Sequence, residues 1–202
     1  MSTPAARDIY LVRHGETTWN VAGRQQGRLD SPLTEKGVAQ VQAAGQVLRR
    51  RLSDARDVVV ETSPLGRARA SAALICRELD IPEADLVVSP LLVEHDFGVW
   101  QGLTFAEIDA LYPGVRQKRE AGKWHYAVEG GESYALVSER ARRWLASRST
   151  AIVIAVTHEM ISRTIQGAYG ALTAQETLAR FHRHGQIYLL RDRQITEIPA
   201  DE

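Results

Sequence analysis

Cysteine is nearly missing from this chain of 202 residues, and the single Cys76 has no internal partner for a disulfide. That points to a reducing, cytoplasmic setting. Cys76 lies in the apolar-patterned stretch Ala68 to Leu79 and reads as a core residue. Long hydrophobic runs are also missing. The longest fully apolar stretch, Ala151 to Val156, is far too short to span a bilayer, and residues 1–15 lack the apolar core of a signal peptide, so no membrane association is expected. Neither charge sign is in excess: 25 basic residues face 25 acidic ones, which leaves no global field to attract nucleic acid. Low-complexity tracts, repeats and Ser/Gly linkers do not occur, and no helix carries a heptad seam. A homodimer is compatible with the sequence but is not specified by it.

What is present is an ordinary globular composition, 44% apolar and 25% charged, at a length that suits one domain over residues 1–202. Three β-branched runs, Asp8 to Val12, Asp57 to Glu61 and Ala151 to Val156, read as buried strands, with Leu86 to Val88 and Gln186 to Leu190 completing the set. Helical spacing marks Glu35 to Leu52 behind an N-cap at Thr34, then Arg67 to Leu79, Thr104 to Leu111, Ser133 to Leu145 and Met160 to Ala168. The alternation predicts an α/β fold, a mostly parallel central sheet between two helical layers. Gly114 to Gly131 reads as irregular, within a loop and helix excursion over residues 95–132 that would cover the site.

In such sheets the site lies at the carboxyl ends of the strands. After the first strand stands Arg13-His14-Gly15-Glu16, after the second Thr62-Ser63-Pro64-Leu65-Gly66-Arg67, and after the late apolar strand Thr157-His158-Glu159. Two arginines and two histidines therefore converge on one sheet edge. Guanidinium forks match phosphate oxygens, and imidazoles serve as nucleophile, donor or proton carrier. Because the negative charge of a phosphoryl transition state is spread over its oxygens, fixed cationic donors stabilise it, and phosphoryl transfer needs no metal or other cofactor on this reading. An acid is also required, since an alkoxide leaves poorly unless protonated.

The string LVRHGETTWN, residues 11 to 20, resembles the signature of the histidine phosphatase, or phosphoglycerate mutase-like, superfamily. Arg24-Gln25-Gln26-Gly27, Asp30-Ser31-Pro32-Leu33-Thr34, Gly37, Ser63 to Ala68, Glu94, Phe97 to Gly102, Gly130 to Ser133 and Thr157-His158 continue the resemblance in order over most of the chain. It implies the phosphoglycerate mutase-like fold. It also implies that His14 forms a phosphohistidine, that Arg13, Arg67 and His158 grip the phosphoryl oxygens with a contact from Asn20, and that Glu94 protonates the leaving oxygen and then activates water. Gln26 and Gly27 could present polar groups to the phosphate or simply form a turn.

The implied partner is a small phosphorylated metabolite. Sugar phosphates, phosphoglycerates, nucleotide-derived esters and phosphoproteins all fit, because the motif reads the phosphate and not the alcohol. The expected function is a metal-independent phosphomonoester hydrolase of the phosphatase branch. Return of the phosphate to substrate, as in a mutase, is the alternative, and a non-catalytic phosphate-binding protein is the less favoured one. The stretch between Glu94 and His158 is short for a mutase of this family, which leaves water access to the intermediate.

Other features admit two readings. His182-Arg183-His184 lacks the partners of a metal site. Trp100 and Trp124 either pack or line the substrate pocket. Val128-Glu129 precedes Gly130-Gly131 where the family often has proline. Glu159 departs from the small residue common in the family after the second histidine. Its carboxylate either sits at the pocket mouth and disfavours highly anionic substrates, or starts a helix facing outward with support from the helix dipole.

Overall fold

The computed structural model describes residues 8–147 and 152–199. The chain alternates as β1 (Asp8–Arg13), α1 (Thr18–Val21), α2 (Glu35–Arg51), β2 (Val58–Thr62), α3 (Gly66–Glu78), β3 (Val87–Val88), α4 (Phe105–Leu111), α5 (Val115–Ala121) and α6 (Tyr134–Ala146), then β4 (Ile152–Thr157), α7 (Glu159–Tyr169), α8 (Ala174–Ala179), β5 (Ile187–Arg191) and β6 (Gln194–Ile198). Among the described residues no helix is long and apolar enough to cross a membrane.

The six strands form one sheet in the order β3-β2-β4-β1-β5-β6. The first four are mutually parallel, and β5 and β6 run antiparallel at one edge. The expected fold class is therefore what the chain adopts. Alternation along the strands divides the core into two layers. Tyr10, Val12, Val60, Ile154 and Val156 pack against Val41, Leu48, Ile75 and Cys76 of α2 and α3. Ile9, Leu11, Val153 and Ala155 pack against Val137, Trp144, Ile161 and Ile165 of α6 and α7. Strand β1 is buried at every position because helices cover both of its faces.

Element ends follow local chemistry. Thr34, Thr104, Ser133 and Thr173 cap α2, α4, α6 and α8 by accepting a backbone N–H, and the caps at Thr104 and Thr173 are closed reciprocally by Glu107 and Glu176. The stretch expected to be irregular contains α5, whose sequence VRQKREA has no apolar stripe to announce it. Residues 95–132 carry α4 and α5 around a third small core of Phe97, Trp100, Ile108 and Val128. Ala151, the first residue of the third expected strand, lies outside the described residues; from Ile152 onward that strand forms as β4.

Candidate active site

Register sets the site. Arg13 pairs with Thr157 and Val156 with Thr62, so β1 and β4 end level and β2 ends one residue short of them. The next residues, His14, His158 and Ser63, then stand side by side, with the His14 N–H donating to the Thr157 carbonyl at 3.0 Å and the Ser63 N–H to that of Val156 at 3.1 Å. The two imidazole rings lie 5.1 Å apart between centroids.

A cavity of about 150 Å³ opens above them, lined by Arg13, His14, Arg67, Glu94 and Glu159 together with Asn20, Gln26 and Gly27 and the outer residues Arg24, Gln25, Phe97 and Met160. Of the expected site residues only His158 is absent from this wall. It lies one layer deeper, where its ring touches His14 and its Nε2 is 2.8 Å from the Ser63 hydroxyl. Its Nδ1 is buried without a partner.

His14 is 3% exposed. Its Nδ1 lies 2.7 Å from the Gly15 carbonyl, which can only accept, so the proton sits on Nδ1 and Nε2 carries the lone pair. Arg67 Nε donates to that Nε2 at 3.3 Å. Burial first, then the Arg67 and Arg13 guanidiniums, hold the His14 pKa well below the usual histidine range, so the ring is neutral at neutral pH. His158 is depressed in the same way, by burial and then by Arg67 and His14. Close approach fixes the His14 backbone: a Cβ on Gly15 would lie 2.2 Å from the Gly37 carbonyl oxygen.

Arg67 is positioned at the N-terminus of α3, where the Asp30 carboxylate accepts from the Gly66 N–H and, at 3.2 Å, from the Arg67 N–H. Asp30 Oδ1 also takes Arg67 Nη1 at 3.1 Å, and Nη2 donates to the Gly27 carbonyl at 2.8 Å. Arg13 Nη1 donates to the His182 carbonyl at 2.7 Å and pairs with Glu159 at 3.0 Å. Gln26 donates to Thr17 Oγ1 at 2.8 Å and accepts from Ser31 at 3.1 Å, while Asn20 closes the cap of α1 on Thr17. Gly27, at φ +53°, presses against Gln101, which makes it both a turn and a wall of the cavity.

Glu94 faces this cationic floor. It is 6% exposed, and its carboxylate accepts from the N–H groups of His95 at 2.8 Å, Ile161 at 3.1 Å and Met160 at 3.2 Å, the last two at the start of α7. Burial outweighs these bonds and raises its pKa above the usual glutamate range.

Glu159 is the first residue of α7, but it does not face outward: its side chain is 14% exposed, lines the cavity and bridges Arg13 to Arg163, the latter at 2.6 Å. Trp100 is buried in the small third core, and Trp124 stacks on Tyr134, so neither lines the cavity. Val128 is buried in that same core, and the Glu129 carbonyl accepts from the Val99 N–H at 3.0 Å, so the loop before Gly130-Gly131 packs down without proline. His182 Nδ1 lies 2.6 Å from Ser162 Oγ, and its Nε2 donates to the Gln186 carbonyl at 2.8 Å, whereas the His184 ring packs 5.4 Å from that of His14. Among the described residues no group of three or more His, Cys, Asp or Glu side chains is arranged to hold a metal ion. Sequence reasoning did not single out Arg24, Phe97 and Met160 as wall residues, or Asp30 and Ser63 as supports. The first two and the last two stand inside strings already matched as motifs, while Met160 has no such signal.

Residues 9–194 match the model of the histidine phosphatase superfamily, branch 1. A glucosyl-3-phosphoglycerate phosphatase of Mycobacterium tuberculosis is 39% identical over 142 residues, covering 70% of this chain and 60% of that protein. A metal-independent phosphoserine phosphatase of Arabidopsis thaliana is 35% identical over 169 residues, covering 78% of this chain and 66% of the relative. The matched region thus spans less than two thirds of these relatives. Among solved structures, the mycobacterial glucosyl-3-phosphoglycerate phosphatase complexed with VO3 superposes with a TM-score of 0.78 at 30% identity, covering 91% of this chain and 92% of the other. Bacillus stearothermophilus YhfR superposes at 0.81 and 28% identity, covering 98% and 100%. The motif order, the fold and the family match agree: this chain belongs to the histidine phosphatase superfamily.

Proposed function

We propose that the chain is a metal-independent phosphomonoester hydrolase that works through a phosphohistidine on His14. The observation that carries this reading is a neutral His14 on the cavity wall whose unprotonated Nε2 meets Arg67 Nε, with Arg13 and the protonatable Glu94 on the same wall. In the first step Nε2 attacks phosphorus, the bond from phosphorus to the ester oxygen breaks, and its electron pair leaves on that oxygen, which takes the Glu94 proton. Arg13, Arg67 and His158 stabilise the equatorial oxygens, with Asn20, Gln26 and the Gly27 turn completing the cradle. In the second step the Glu94 carboxylate accepts a proton from water as it attacks, the P–N bond breaks, and neutral His14 returns with free phosphate.

Similar proteins are named as phosphatases of glucosyl-3-phosphoglycerate and phosphoserine, and as probable phosphoglycerate mutases. Their common denominator is a small phosphorylated metabolite, the substrate class we assign here. Hydrolysis is preferred to return of the phosphate because the segment between Glu94 and α6 is short, with one 3-10 turn at Gly98–Trp100 and two α-helices of seven residues each, α4 and α5. A cytoplasmic location fits the free thiol of buried Cys76. The test is release of phosphate from p-nitrophenyl phosphate by wild type and His14→Ala, with chelator present. Wild-type turnover that His14→Ala abolishes is expected; turnover unaffected by the substitution would refute the nucleophile assignment.

A further inference from the structure

Three arginines line the cavity, and each already faces a carboxylate. Arg67 pairs with Asp30 at 3.1 Å, Arg13 with Glu159 at 3.0 Å, and Arg24 at the mouth with Glu107 at 3.0 Å. The neighbouring Arg28 is likewise held, by Asp96 at 3.4 Å and Glu132 at 3.0 Å. Glu159 is itself part of the wall, and Arg163 locks it from behind. A bound phosphomonoester brings close to two negative charges, which the floor of Arg13 and Arg67 can meet. A second anionic group on the same substrate would meet the Glu159 carboxylate and an Arg24 already paired with Glu107. In a partly desolvated cavity, like charges several ångströms apart repel strongly enough to change selectivity about tenfold.

We propose that the site selects phosphomonoesters whose alcohol carries no further anionic group, and that Glu159, aided by the Glu107 clamp on Arg24, imposes this choice. The inference rests on the hydrolase reading above. It separates this chain from relatives named for phosphoglycerate derivatives, because once Arg13 and Arg67 hold the phosphate, the carboxylate of such a substrate would face Glu159 and an Arg24 paired with Glu107.

The test compares kcat/KM for glycerol 3-phosphate and for 3-phosphoglycerate of matching configuration, which differ only in a hydroxymethyl against a carboxylate. Wild type is expected to favour glycerol 3-phosphate by about tenfold or more. Glu159→Gln keeps an acceptor for Arg163 but removes the charge, and should narrow the ratio about fivefold or more. Glu107→Gln can preserve the cap on α4 while removing the negative charge beside Arg24, which keeps its bond to the Gly102 carbonyl, and should narrow the ratio by a smaller factor. A wild-type ratio near one, or a ratio that neither substitution moves, overturns the selectivity proposal while leaving the hydrolase reading intact. Absence of wild-type turnover of these esters and of p-nitrophenyl phosphate overturns both.

Discussion

His95 offers a quantitative check on the electrostatics of the site wall. Its N–H donates to the Glu94 carboxylate, while its ring is 1% exposed, lies 4.7 Å from Phe97 and 5.2 Å from Tyr134, and has no hydrogen-bond partner on either nitrogen. Burial, then the Arg119 guanidinium, push its pKa down to about 3. In the unfolded chain the same ring titrates near 6.5. The folded pKa lies below the unfolded one, so the unfolded state binds more protons in acid and stability falls as pH drops below about 6.5. At pH 5, one and a half units below that value at roughly 1.4 kcal/mol per unit, His95 alone costs about 2 kcal/mol. For a domain of this size that corresponds to about 4–8 °C in Tm. His95→Phe replaces the ring among aromatic neighbours without a titrating group. Thermal and urea unfolding at pH 7.5 and pH 5 should show the variant losing about 2 kcal/mol less than wild type on acidification. Identical losses in the two proteins would refute the assignment of a buried neutral His95.

Glu94→Gln should slow alkyl phosphates about 100-fold or more and p-nitrophenyl phosphate much less, because a poor leaving group depends on the proton. In wild type the raised Glu94 pKa should place the basic limb of kcat/KM above the usual glutamate range, and the depressed His14 should keep the acid limb below the usual histidine range; pH profiles of kcat/KM check both. Asp30→Ala removes contacts that hold the Arg67 side chain and cap α3. Since Asp30 is itself partly exposed, the loss should be about 1.5–3 kcal/mol, or roughly 10- to 100-fold in kcat/KM, measured against an unchanged fold by circular dichroism. Gly15→Ala would drive a Cβ into the Gly37 carbonyl and should lower both Tm and kcat, the latter by about 100-fold, in melting and steady-state assays.

The site was legible where chemistry follows a strand directly. Arg13 and His14, Ser63 to Arg67, and His158 were readable because parallel register brings strand ends together whatever lies between them. Glu94 became visible through its flanking motif alone, since the turn Pro90–Leu92 separates it from β3 and its place depends on the amides of α7. The orientation of Glu159 could not be read from the sequence: a first-turn glutamate commonly faces water, and only the positions of Arg13 and Arg163 turn it inward. Strand β6 escaped notice because its hairpin turns through Asp192 and Arg193 at φ 50° and 62°, positions usually marked by Gly or Asn. Helix α1 is a single turn held by the Thr17–Asn20 cap, too short for any period to show.

The most direct measurement is rapid acid-free quenching of the enzyme during turnover, followed by mass spectrometry of its peptides. A phosphoryl adduct on His14 that is labile to acid, stable to base and absent from His14→Ala is the predicted result. Sustained turnover with no adduct, or with the phosphoryl group on any other residue, would contradict the account.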